Sequence, residues 1–451
     1  MYTKTFFCLI LMCTFFLLPG FVSAEDFGPE EWQQYRMKSD KNAVFDNGSD
    51  PLESQVYETA DEVRATPVVV GDRLFVGNHN SGDLFAFDIA SGEEIWRNQA
   101  PNWIHSEMIY QDGTIFVGYG NRYFQDNGIR GTGESGVLAL DAGNGDILWK
   151  YVTEGEVMPT PVYYDGAVYA ATGDRHLYKL EPDSGELLHK AEIGSTVSMS
   201  APNITDDQLF VGGSSPSPYT FSAYYLTSDE FAWQTEFPEV IAGLDDVPPA
   251  VADDLVITTA IEGTQEEPEH KMYAMDTETG ELAWEASFGV GQFVKNNKSG
   301  APIIYEDMIY VGSPITKTFY AFDLDTGEKQ WEFENEVMKA PPVAQDGVVY
   351  FSNAEGFIYA LDAESGEALG EKQLQGVLAP AGPIIVNNTM FIGSQDSNVY
   401  AVPIEEFGED VLQHASKHTG INQTMVYTIG ALLLIVLVIG LVWLKRRRQR
   451  G

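Results

Sequence analysis

One eleven-residue phrase constrains this 451-residue chain more than any other feature, because it recurs along most of its length. It reads AFDIASGEEIW from Ala86 to Trp96, ALDAGNGDILW up to Trp149, AMDTETGELAW up to Trp284 and AFDLDTGEKQW up to Trp331. Weaker copies end at His189, Trp233 and Gly370. The turn positions Gly92, Gly145, Gly185, Asp229, Gly280, Gly327 and Gly366 stand 53, 40, 44, 51, 47 and 39 residues apart. A period of about 40–50 residues built from short strands predicts a β-propeller.

The phrase has the physics of a hairpin. Its first five residues alternate like a strand. Asp88, Asp141, Asp276 and Asp323 are placed to bind backbone amides in the turn. Gly92, Gly145, Gly280 and Gly327 supply the positive φ that a tight turn needs. Trp96, Trp149, Trp284 and Trp331 then bring a large apolar ring to the next strand, where it can cover a neighbouring sheet. These positions are expected to be architectural, since a chemical group is rarely copied seven times.

Each phrase is preceded by another hairpin: TPVVVGDRLFVGN from Thr66, with copies from Thr160, Ala301, Pro341 and Gly382. One unit therefore has four strands, A to D, and a proline opens strand A, where a missing amide matters least. A–B pairs near residues 66, 107, 160, 201, 249, 301, 342 and 383 predict an all-β, eight-bladed propeller. The last unit lacks its D strand. PLESQVYETA, residues 51–60, is expected to supply it and close the ring.

The ends read differently. Residues 1–24 resemble a secretory signal peptide with a small-residue exit at Ala24. Both cysteines, Cys8 and Cys13, lie inside it, so residues 25–404 form a propeller without disulfides. Residues 405–424 are expected to be a polar juxtamembrane stalk. Residues 425–444 are uncharged and long enough to span a bilayer, and 445–451 form a basic cytoplasmic tail. The reading is a single-pass membrane protein with its bulk outside the cytoplasm. Between residues 25 and 424, 20 Lys and Arg face 67 acids, and such a surface repels nucleic acid.

In a propeller the D–A and B–C loops share the face around the channel mouth. Three of them are long: 98–108, 119–136 and 287–300. Functional residues collect on such loops. Trp103, His105, Tyr119, Arg122, Arg130 and Lys295 are therefore the candidate ligand-binding residues. The seven histidines are read as scattered, and no EF-hand, zinc motif, phosphate loop or nucleophile elbow is found. No metal is expected, and no catalytic residue is assigned.

The Asp-x-x-[Ser/Thr]-Gly-Glu-x-x-Trp repeats resemble those of the pyrroloquinoline-quinone-like (PQQ-like) propeller family over about residues 30–405. EEWQQYRMKSDKNAVF, from Glu30 to Phe45, is similar to that family's Trp-containing leader. The resemblance implies one of two kinds of protein. Quinoprotein dehydrogenases of the family hold PQQ over calcium, usually against a disulfide between adjacent cysteines, which residues 25–424 cannot form. Other members are non-enzymatic, such as the BamB-type eight-bladed scaffolds. The leading expectation is a membrane-tethered binding or scaffolding module for a protein or small ligand, with no cofactor. The alternatives are a PQQ- and calcium-dependent dehydrogenase and the ectodomain of a sensor complex.

Overall fold

A computed structural model describes residues 26–295, 299–378 and 380–418. The repeat builds eight antiparallel blades in chain order. The first comprises Val68–Val70, Arg73–Gly77, Asp83–Asp88 and Glu94–Gln99. The eighth has Ile384–Val386, Thr389–Ser394 and Asn398–Pro403 from the end of the chain. Its outer strand, Gln55–Glu58, comes from the beginning, as the missing D strand requires, with Val56 opposite Tyr400 and Tyr57 opposite Val399. Tyr57 is fully buried and donates to the Ile89 carbonyl at 2.7 Å, so the closing strand is also pinned to blade 1. Two blades carry a fifth strand: Val240–Ala242 in blade 5, and Val44–Phe45 beside the A strand of blade 8.

The repeated phrase is a joint between blades. Trp96 of blade 1 lies over Gly145 in the C–D turn of blade 2, and its Nε1 donates to Ala142 O at 2.9 Å. Trp149 meets Gly185 and Pro182 O, Trp233 meets Gly280 and Thr277 O, Trp284 meets Gly327 and Leu324 O, and Trp331 meets Gly366 and Ala363 O. The turn acids do what their place predicts. Asp88 Oδ1 accepts from Ser91 N, Asp141 Oδ1 from Asn144 N, Asp276 Oδ1 from Thr279 N and Asp323 Oδ1 from Thr326 N, each three residues on. Where the ring closes, the side chain over Gly92 is Gln55 of the closing strand.

Blade 7 has glycine, Gly370, where blades 1, 2, 4, 5 and 6 have tryptophan, and another element covers it. The chain leaves blade 8 through a 3-10 turn, Ile404–Phe407, and a helix, Glu409–His418. The Phe407 backbone and Val411 pack on Gly370, and both Phe407 and Val411 are buried. The start of the stretch expected as a polar stalk thus differs from that reading. Phe407 and Val411 face the propeller and fill the gap at Gly370, while Leu412 stays exposed. The expected signal peptide, membrane helix and basic tail lie outside the described residues. Among the described residues, no helix is long and apolar enough to cross a membrane.

The leader, residues 27–45, circles the channel once and meets every blade in order. It bonds Gly71 of blade 1, then Tyr110, Tyr163, Ile204, Val251, Ile304, Ala344 and Ile385 in blades 2 to 8. The last seven are the middle residues of their A strands, and each donates its inward N–H to the leader. An A strand is the inner edge of its blade, so these donors would otherwise be unpaired. Arg36 turns inward from the leader and is fully buried.

One buried histidine sets a measurable acid response. His270, in blade 5, lies between the Ser313 and Ser299 hydroxyls, both at 2.7 Å, and stacks on Phe288. Burial pushes it down to about 3. The folded chain therefore refuses a proton that the unfolded chain accepts below about pH 6.5. Stability present above that pH is lost as pH falls toward 3, with a slope of about 1.4 kcal/mol per pH unit from this residue. Denaturant titrations of His270→Gln between pH 4 and 6 should show that slope reduced by one proton; a slope equal to the parent's would contradict it.

Candidate ligand-binding funnel

The leader closes the channel at the A–B end and leaves it open at the D–A end. The result is a narrow funnel floored by Tyr35, with a cavity of about 50 Å³ at its base. Its wall has a simple origin in the repeat. The residue three before the start of each A strand's Pro position points to the axis: Arg64, His105, Met158, Met199, Asp246, Ser299, Lys339 and Pro380. Architecture repeats from blade to blade, whereas this ring changes residue type at nearly every step. A position that varies inside an otherwise repeated scaffold is free to specify a ligand.

The ring is electrostatically uneven. Lys339 is buried and donates to Asp246 Oδ2 at 2.7 Å. Arg64 holds Glu62 through Nε and Nη2 and reaches Gln395 Oε1 at 3.3 Å. Arg122 and His79 line the outer part of the funnel with Arg64, His105 and Lys339. The two imidazoles meet edge to face, 5.4 Å between centroids, and Trp103 lies 4.6 Å from His79 on the outer side. Tyr123 and Phe124, both exposed, extend this aromatic rim.

The six candidate residues separate. His105 and Arg122 line the funnel, and Trp103 packs on His79 at its edge. Tyr119 is buried behind it, donating to Glu134 Oε1 at 3.1 Å. Arg130 is buried with its Nε 2.8 Å from Glu156 Oε1 and Nη1 3.8 Å from Asp245 Oδ2, so it braces two loops from within. Burial raises the Glu156 carboxyl to about 8 despite this partner. Lys295 is exposed on its loop, outside the funnel lining. Sequence reasoning missed Arg64, His79, Asp246 and Lys339. Aligning the repeats on the A-strand proline would have found all but His79, which comes from a B–C loop. It also passed over one pair with ligand spacing: His414 and His418, four apart on the C-terminal helix. His414 Nδ1 is 3.3 Å from Asp362 Oδ2. Among the described residues no group of three His, Cys, Asp or Glu is placed to hold a metal ion.

Fold and funnel together define an eight-bladed PQQ-like propeller with an axial funnel. The chain belongs to the family described as outer membrane protein assembly factor BamB, whose model matches residues 24–132, 123–221 and 220–427. It is 23% identical to the tetrathionate hydrolase of Acidithiobacillus ferrooxidans over 84% of this chain and 87% of that protein. It is 22% identical to the outer membrane protein assembly factor BamB of Yersinia pestis over 74% and 83% of the two chains. The quinohemoprotein alcohol dehydrogenase of Comamonas testosteroni shares the fold, with a TM-score of 0.62 at 13% identity over 82% and 80%.

Proposed function

We propose that this protein is an extracytoplasmic binding module, tethered by residues 425–444, that engages its ligand or partner through the mouth-face funnel. The observation that carries this reading is the ring of changing side chains around a cavity whose other end the leader closes. Family membership supports a binding or scaffolding role, and the strongly acidic ectodomain favours a partner other than a polyanion. The test places a photo-crosslinking amino acid at Tyr123 on the mouth face, or at Asp254 on the opposite face, of the full-length protein in its native membrane. Adducts from position 123 and none from 254 are expected. Adducts from 254 alone would overturn the reading.

A second reading is enzymatic. It rests on the similarity to a tetrathionate hydrolase across most of both chains. Consumption of tetrathionate by the full-length protein would move that reading to first place. The residues present do not fit the quinone dehydrogenases' calcium. That ion takes about six to eight oxygen ligands. The wall ring offers one carboxylate, Asp246, and Lys339 already holds it.

A further inference from the structure

Resting on the mouth-face reading, we propose that the funnel is a proton-coupled oxyanion site, in which a small dianion sits among Arg64, Arg122 and Lys339 and is joined by a proton on the His79–His105 pair. The charge distribution points to this class of ligand. Only 20 of the ectodomain's ionic side chains are cationic against 67 acids. Yet the funnel lining carries three permanent cations against one carboxylate, and with Glu62 behind Arg64 counted the cluster still keeps a net positive charge. Converging cations in a low-dielectric cleft focus a positive field, which a small anion relieves. Arg64 and Lys339 are each anchored by one acid, Glu62 and Asp246, which fixes them in the lining of the funnel. A polyanion is excluded by the acidic exterior, and a bulky one by the narrow cavity.

The histidines supply the coupling. Both lie on the wall within ring contact of each other, and the same cations that attract an anion repel a proton from them. Burial, then His79, Lys339 and Arg64, hold His105 well below its usual value. Burial, then Arg64, hold His79 down to about 4, with the Asn80 hydrogen bond and Asp61 opposing and Arg122 adding to the effect. Tyr35 on the floor and Asp246 on the wall complete the ionisable surroundings. A bound dianion cancels the repulsion, so an imidazolium becomes favourable and donates to the anion's oxygens. Linkage then requires the reverse: affinity rises as pH falls.

The test uses the full-length protein in detergent and sulfate as the probe, since sulfate stays a dianion from pH 5 to 8. Titration calorimetry in two buffers of different ionisation enthalpy reads both Kd and protons taken up. Saturable binding is expected, tightening by up to about tenfold per pH unit on acidification, with net proton uptake. Arg64→Gln, and independently the exposed Arg122→Gln, should weaken binding several-fold or more, and His105→Gln should bind with a reduced pH dependence. A thermal melt of each variant separates lost binding from lost folding. Absence of sulfate binding in the folded parent overturns the anion class, while mouth-face crosslinking in the preceding experiment still decides the broader reading. Binding without proton uptake overturns the coupling. Binding unchanged in both arginine variants places the anion elsewhere and overturns the site.

Discussion

Replacing Arg36 by alanine should destabilise the propeller by about 3–5 kcal/mol, the range for stranding the partners of a buried charge. The guanidinium is fully buried and donates in three directions: to Lys41 O at 2.7 Å, Pro383 O at 2.8 Å and Pro342 O at 2.6 Å. Two of those carbonyls precede the A strands of blades 8 and 7, so one side chain ties the leader to both. Its own backbone N–H donates to Glu107 of blade 2, which also accepts from Trp32 Nε1 at 2.6 Å. Glu107 is buried, and that burial raises it to about 7, with Arg36 and Lys41 among the groups opposing the rise. Removing Arg36 leaves three carbonyls without this donor and Glu107 with Lys41 as its remaining nearby cation. Arg36→Lys should retain part of the stability, because a single ammonium cannot span three acceptors set by a planar fork. Chemical denaturation of the three proteins checks the order; a loss below about 1 kcal/mol for alanine would mean that the leader contributes little to the ring.

The leader also shows where sequence reasoning stops. EEWQQYRMKSDKNAVF was recognisable as a leader by resemblance, but nothing in it announces a circuit of the channel. Its partners are seven inward N–H groups spread from Tyr110 to Ile385. They come together only when the ring closes, and no local periodicity encodes that. The closing strand was legible for the opposite reason: the last unit visibly lacks a D strand, and residues 51–60 stand where one is needed. The funnel lies between these cases. His105 and Arg122 drew notice through the loops singled out in the sequence, whereas Arg64 and Lys339 are marked only by their register in the repeat. Loop length also drew in Tyr119 and Arg130, whose polar groups turn to Glu134, Glu156 and Asp245.

The second large effect tests what the repeated phrase is for. Trp96→Ala should lose about 3–5 kcal/mol, as expected for emptying a buried tryptophan site, because the ring is 7% exposed and wedged between blades. Gly145→Ala should also destabilise, for two separable reasons. Gly145 has φ of +76°, which a Cβ disfavours by about 1–2 kcal/mol. A Cβ there would also stand 2.6 Å from the Trp96 ring, well inside contact distance. Only the second reason depends on the tryptophan. In the Trp96→Ala background the clash is gone, so Gly145→Ala should cost only its backbone share, and the double mutant should be more stable than the sum of the singles predicts. A double-mutant cycle read by chemical denaturation measures that difference directly. Strict additivity would mean that the glycine answers to the turn alone, and that the spacing of Gly and Trp in the phrase reflects two independent requirements rather than one joint shared by adjacent blades.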